Sequence, residues 1–132
     1  CAGFVYCMPA EDLRHNFDGS ARLQKSILRF AHTFLGQVAQ NAACGRFHAV
    51  KQRMAKWLLM IDERSGRLEA DKSKALLGTA VGCDLREIEN AMEQLAAAGA
   101  IRQRSGTIIV QREALEPNAC ECYETVRLGR AE

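Results

Sequence analysis

Four side chains that suit soft metals stand in two pairs: Cys44 and His48, four residues apart, and Cys120 and Cys122, which flank Glu121. Thiolate sulfur and imidazole nitrogen are preferred Zn²⁺ donors, so the pairs could in principle meet on one ion. The spacing is a weak signal, because Cys-x-Cys is not the common hook of a structural zinc site and small buried thiols explain the same residues. No metal and no cofactor is assigned to the chain. As a nucleophile, Cys44 beside His48 would need an exposed, low-pKa thiolate and an oxyanion hole. The sequence offers neither a Gly-rich turn beside Cys44 nor an orienting carboxylate. The only Gly-rich steps are turns and caps, so no loop cradles a phosphate, and an enzyme is not expected.

A second set has hydrogen-bonding chemistry. If Ile88, Met92 and Leu95 face inward on a helix, Leu85, Arg86, Glu89, Asn90 and Glu93 turn outward. Arg86 suits guanine O6 and N7, Asn90 suits adenine N6 and N7, Glu89 can accept from cytosine N4, and Leu85 offers apolar contact to a thymine methyl. Ser73, Lys74, Arg102 and Arg104 are the candidates for phosphate contacts, which give position and not sequence. An ordinary solvated amphipathic face is the alternative.

The elements that must hold these residues follow from periodicity. Residues 2–8 (AGFVYCM) read as a strand closed by Pro9, then a short helical turn, AEDLRHNF. An isolated strand cannot satisfy its own backbone, so its sheet is expected outside the given residues, as Cys1 in place of Met also suggests. From about Gly19 to Asn41 runs one long helix with two apolar stripes, Leu23, Ile27, Phe30 and Phe34 on one and Leu28, Leu35, Ala39 and Ala42 on the other. Two stripes call for packing on two sides, for example a core and a twin helix; a plain core helix is the alternative. Gly45 interrupts this pattern.

A second helix then buries Val50, Met54, Trp57, Leu58 and Ile61, with Lys51, Arg53 and Lys56 around the rest, and ends near Ser65-Gly66. After an extended piece, RLEA, Ser73 is the expected N-cap of a third helix carrying Leu76, Leu77, Ala80 and Val81, which Gly82 stops. Asp84 caps a fourth helix, with Glu87 completing a capping box and Gly99 at its end. Ile101 to Val110 reads as a hairpin turning at Ser105-Gly106. Residues 113–132 read as a mixed, polar tail.

Composition agrees with a small globular protein: 132 residues, 48% hydrophobic and 26% charged, enough for one ordinary core or two small ones but not for a large enzyme. No apolar run is long enough to cross a bilayer, and six scattered cysteines in so apolar a chain need no disulfides. A cytoplasmic setting is expected. The net charge of +2 implies no nucleic acid by itself, yet residues 14–67 hold ten Lys or Arg against three Asp or Glu.

Two short helices joined by a tight Gly turn, the second capped and followed by a hairpin, form a winged helix-turn-helix pattern. From AGFVYCMPAEDL through LQKSILRFAHTFLGQVAQNA, ACGRFHAVKQRMAKWLLMIDERSG, LLGTAVGCDLREIENAMEQLAAAGAI and the wing RQRSGTIIV, the chain resembles the C-terminal part of the Crp/Fnr family of bacterial transcription regulators. EALEPNACECY is similar to an ending found in one branch of that family. The resemblance implies a mainly α fold: a remnant of an effector-binding β-roll and exit turn (1–18), a dimerisation helix (19–43) and a winged helix-turn-helix domain with a C-terminal tail (44–132). It further implies a homodimer joined through Leu23, Ile27, Phe30 and Phe34, a recognition helix 85–98 in the major groove of double-stranded DNA, and RNA polymerase as a further partner. An effector domain upstream would rotate the winged domains about a hinge near Ala43 to Arg46.

The chain departs from the pattern at the recognition helix. Well-known members begin it Ser-Arg-Glu-Thr-Val, with an Arg two residues further on; here Asp84-Leu85-Arg86-Glu87-Ile88 is followed by Glu89 and Asn90. Leu85 and Asn90 replace basic residues, and four acids sit close to a phosphate-lined groove, which subtracts from counterion release. Weak binding, an unusual operator and lost DNA binding all stay open. Two rivals follow: a degenerate winged helix used for protein association, and a redox or metal sensor built on Cys44, Cys120 and Cys122.

Overall fold

The computed structural model describes residues 4–65, 68–104 and 106–128, with side chains at all of these except 65, 68–73, 75 and 128. The fold is mainly helical. Helices α1 (Ala10–Gly19), α2 (Ala21–Phe47) and α3 (Val50–Ser65) are followed by strand β1 (Leu68–Glu69) and helices α4 (Ala70–Val81) and α5 (Leu85–Ala97). Strands β2 (Ile101–Arg104) and β3 (Thr107–Val110), helix α6 (Arg112–Leu115), a 3₁₀ turn at Glu116–Asn118 and helix α7 (Cys122–Leu128) complete it.

Phe4 to Pro9 form no strand. Among the described residues no strand lies beside them, and Phe4 and Tyr6 are fully exposed, so nothing satisfies an extended backbone there except solvent. Ser20 then caps α2, its hydroxyl accepting from the Leu23 N–H. This helix runs past Asn41 and through Gly45 to Phe47, where His48 takes an extended conformation. A glycine in a helix costs about 1 kcal/mol relative to alanine, too little to end a helix whose last turns are packed. The expected hinge at Ala43 to Arg46 therefore lies inside α2, and the chain bends at His48-Ala49.

The aliphatic core lies between α3, α4, α5 and the wing. Met54, Ala55, Leu58 and Leu59 of α3 meet Leu77 and Val81 of α4, Ile88, Met92 and Leu95 of α5, and Ile101 and Ile108 of the strands. The buried stripe of α5 is the one its 3.6-residue period dictates. Lys56 departs from expectation: it is 1% exposed, because its ammonium crosses to the Asn41 side-chain oxygen of α2 at 2.7 Å. A buried ammonium is tolerated only where such an acceptor meets it.

The short helix α4 begins at Ala70, directly after β1, so Ser73 is an interior residue and not the N-cap. The piece RLEA contributes a strand as well: β1 pairs antiparallel with β3 (Leu68 opposite Ile108), giving a three-stranded sheet in the order β1-β3-β2. Residues 113–128 are not a loose tail either. Leu115, Cys120, Cys122, Tyr123 and Val126 are buried, and α7 packs on α2 and α3.

Candidate nucleic-acid interface

Helix α5 is started by a reciprocal cap. The Asp84 carboxylate accepts from the Glu87 N–H at 2.8 Å and the Glu87 carboxylate from the Asp84 N–H at 3.1 Å. Before it, Gly82 has φ +74°, the left-handed conformation that lets α4 turn sharply into α5. With Ile88, Ala91, Met92 and Leu95 turned inward, Leu85, Arg86, Glu89, Asn90 and Glu93 are all exposed. The expected outward face is thus present as one surface, uncovered by the chain's own residues.

Two members of that face already have partners. The Glu89 carboxylate receives the Lys74 ammonium of α4 at 3.1 Å, and the Asn90 side-chain oxygen accepts from the Gln94 amide at 3.1 Å. The sequence marks Lys74 for phosphate and Glu89 for bases as separate residues, and only the α4–α5 packing brings them together. Glu89 and Glu93, with Met92 and Ala96, line one side of a groove of about 360 Å³ whose other walls are Lys74, Ile101 and Gln103. The acidic side of α5 therefore faces the wing. Ser73 lies within α4, and its side chain is outside the described residues.

On the wing, Arg102 stands opposite Ile109 and Arg104 opposite Thr107. Alternation along a strand puts the two arginines on one face, and both are exposed. Gly106, with φ +75°, makes the turn between β2 and β3.

The proposed dimer residues divide. Leu23 and Ile27 are half-buried, whereas Phe30 and Phe34 are 71% and 54% exposed, with rings stacked at 6.1 Å between centroids. The second stripe is equally uncovered, with Leu28 61% and Leu35 65% exposed.

The thiols, by contrast, converge. Cys44, His48, Cys120 and Cys122 bring their donor atoms within 4.8 Å of one another, and the three cysteines form a small buried cluster separate from the aliphatic core. Burial pushes the Cys120 thiol up to about 12, with the adjacent Cys44 adding to the shift. An orienting carboxylate is also present, which the sequence did not reveal: Glu121 accepts from His48 Nε2 at 3.0 Å. Its carboxyl is held below the usual range by its own backbone N–H and by His48. The i, i+4 spacing of Cys44 and His48 was the one local sign of this arrangement.

A capped helix presented beside a tight turn, with a basic hairpin following it, is the arrangement of a winged helix-turn-helix DNA-binding domain. Residues 52–117 match the family described as the Crp-like helix-turn-helix domain, and the chain belongs to it. Its helix-turn-helix region is thus of Crp/Fnr type. The fold is similar to that of FixK2 from Bradyrhizobium japonicum, with a TM-score of 0.74 at 17% sequence identity. That likeness covers 83% of this chain and 58% of FixK2, so the chain spans a little over half of that protein. Comparison with curated protein sequences gave no match. Among the described residues no helix is long and apolar enough to cross a membrane.

Proposed function

We propose that the chain acts as a homodimer reading a roughly palindromic duplex site, with residues 85–98 of each copy in successive major grooves. The observation that carries this reading is the exposed face of α5, where Leu85, Arg86, Glu89 and Asn90 stand together next to a fixed helix N-terminus. Arg86 is the guanine reader, Asn90 the adenine reader, Glu89 an acceptor for cytosine and Leu85 a thymine-methyl contact. Lys74, Arg102 and Arg104, with Ser73, hold phosphates on either side. The exposed stripes of α2 support the dimer, since Phe30, Phe34, Leu28 and Leu35 form an apolar face that a twin helix would cover. Residues 1–18, 19–43 and 44–132 then serve as exit segment, dimerisation helix and DNA-binding domain of a cytoplasmic regulator that responds to an upstream effector domain and engages RNA polymerase.

In the free protein Lys74 engages one carboxylate oxygen of Glu89 at 3.1 Å, which leaves the other oxygen open to a base and further Lys74 donors open to a phosphate. Fluorescence anisotropy with selected and random duplexes tests the reading. Selected duplex should bind more tightly, and affinity should fall steeply with salt. Arg86→Ala should cost about 1–3 kcal/mol at a single base position, while Lys74→Ala should weaken all sequences and lower the salt slope by about 1. Equal, salt-independent affinity for both duplexes would discard it.

The acidic side of α5 favours a second reading, a winged helix used for protein association. Glu87, Glu89 and Glu93 are exposed along that helix, with Lys74 already engaged. Tight, salt-sensitive duplex binding excludes it.

A further inference from the structure

The pocket at the end of α2 holds four donors of the kind that bind Zn²⁺, drawn from positions up to 78 residues apart, Cys44 to Cys122. The Cys44 and Cys120 sulfurs are 3.5 Å apart, and the Cys122 sulfur is 3.6 Å from His48 Nδ1. A tetrahedron with Zn–S near 2.3 Å and Zn–N near 2.0–2.1 Å sets its donors roughly 3.4–3.8 Å apart. Two edges of that tetrahedron are therefore already at length, and the full set needs only a small contraction from its 4.8 Å limit.

The surroundings of the donors match as well. A metal-bound imidazole almost always gives its other N–H to a carboxylate, a carbonyl or water, which fixes the tautomer and ring orientation. His48 turns Nδ1 toward the sulfurs and Nε2 toward the Glu121 carboxylate at 3.0 Å. Gln40 donates its side-chain N–H to the Cys122 sulfur at 3.0 Å, a contact suited to a charged thiolate. A disulfide between Cys44 and Cys120 would use two of these groups and leave the aim of His48, the placement of Glu121 and the Gln40 contact without a role.

We propose that Cys44, His48, Cys120 and Cys122 form a structural Cys₃His zinc site. Four protein ligands close the coordination sphere, so the ion holds structure and does no chemistry on a substrate. On binding, the three thiols each lose a proton to solvent, and three Zn–S bonds and one Zn–N bond form without any change of oxidation state. The ion ties the last turn of α2 and the bend at His48 to the segment leading into α7. It thus fixes where the long helix points relative to the winged domain. The site stands on its own geometry and is independent of whether the domain reads DNA.

The test uses the whole chain, purified under reductant and dialysed against metal-free buffer. Elemental analysis should find one Zn²⁺ per chain. After removal of the metal, Co²⁺ should give the intense thiolate charge-transfer and tetrahedral ligand-field bands at one equivalent, displaced by Zn²⁺. Cys120→Ser and His48→Ala should each abolish or alter those bands, and Cys83→Ser, outside the cluster, should leave them intact. Glu121→Gln should weaken affinity by about 10-fold or more while preserving the spectrum. Because the wild-type spectrum needs no variant, a variant that fails to fold does not decide the matter. The site is overturned by substoichiometric metal with titratable free thiols, by bands that persist unchanged in both ligand variants, or by peptide mapping that finds a Cys44–Cys120 disulfide in place of bound metal.

Discussion

The aliphatic side chains between α3 and α5 and the three thiols of the sulfur pocket at the end of α2 are all buried, but different rules build the two regions. In the first, Met54, Leu58, Ile88, Leu95 and their neighbours come from amphipathic stripes and two short strands. Any residue of similar shape and apolarity would serve, and stability scales with the area removed from water. In the second, three sulfurs and one imidazole meet from the end of a long helix and from a segment 76 residues later in the chain, Cys44 to Cys120. There the identity of the atoms matters more than their volume. A core can thus be redundant while a pocket beside it is specific, and substitutions should separate the two.

The largest contrast is expected from truncation with chelator present, so that packing alone is compared. Leu58 is fully buried among the aliphatic residues, and Leu58→Ala should destabilise the chain by about 2–5 kcal/mol. Cys120→Ala removes one small sulfur and should cost on the order of 1 kcal/mol. Urea midpoints at constant m-value measure both. Similar losses for the two would mean that the sulfur pocket is part of the same packing unit as the aliphatic core.

The same contrast explains what could be read from the sequence. Helices α3 and α5, the Asp84–Glu87 cap, the Gly82 turn and the β2–β3 hairpin are encoded locally, by period, cap chemistry and turn glycines, and they stand where those signals put them. The outward face of α5 was legible for the same reason, because fixing Ile88, Met92 and Leu95 inward leaves Arg86 and Asn90 no other direction. Long-range pairings were not. Lys56 belongs by type on a surface, and only the Asn41 oxygen across the α2–α3 contact makes its burial tolerable. β1 is two residues long, too short for alternation to show, and exists because β3 offers it an edge. The buried residues of the C-terminal segment lie among charges at uneven intervals, so Leu115, Cys120, Tyr123 and Val126 carry no periodic signal. The zinc donors were visible as residue types, but their convergence depends on how α7 docks against α2.

A smaller effect should come from the local end of that scale. Asp84→Ala removes an acceptor from the start of α5, leaving the Glu87 N–H without its side-chain partner, and should cost about 0.5–2 kcal/mol. Since the cap is confined to the first turn, hydrogen exchange should accelerate at residues 85–88 and stay unchanged around Cys44 and Cys120. Loss of protection at the sulfur pocket would show that the two regions open together.

Tyr123 joins the two regions, and its effect at neutral pH is the smallest. Its hydroxyl donates to the Glu63 carboxylate of α3 and accepts from Arg112 of α6, while its neighbour Cys122 lies in the sulfur pocket. Burial, and then the Glu63 hydrogen bond and charge, raise the phenol from 10.0 to about 12. The sign follows from proton counting. Between pH 10 and 12 the unfolded chain has released the phenolic proton while the folded chain retains it, so stability present below pH 10 is lost as pH rises through that window. Tyr123→Phe should cost about 0.5–1.5 kcal/mol at pH 7. It should also remove this phenol's share of the alkaline loss, so that wild type and variant converge in stability toward pH 12. Cysteine titration above pH 9 is common to both proteins and cancels in the difference. Parallel stability curves for the two proteins from pH 8 to 12 would mean that the phenol is not held by Glu63, and that α7 is anchored from the sulfur side alone.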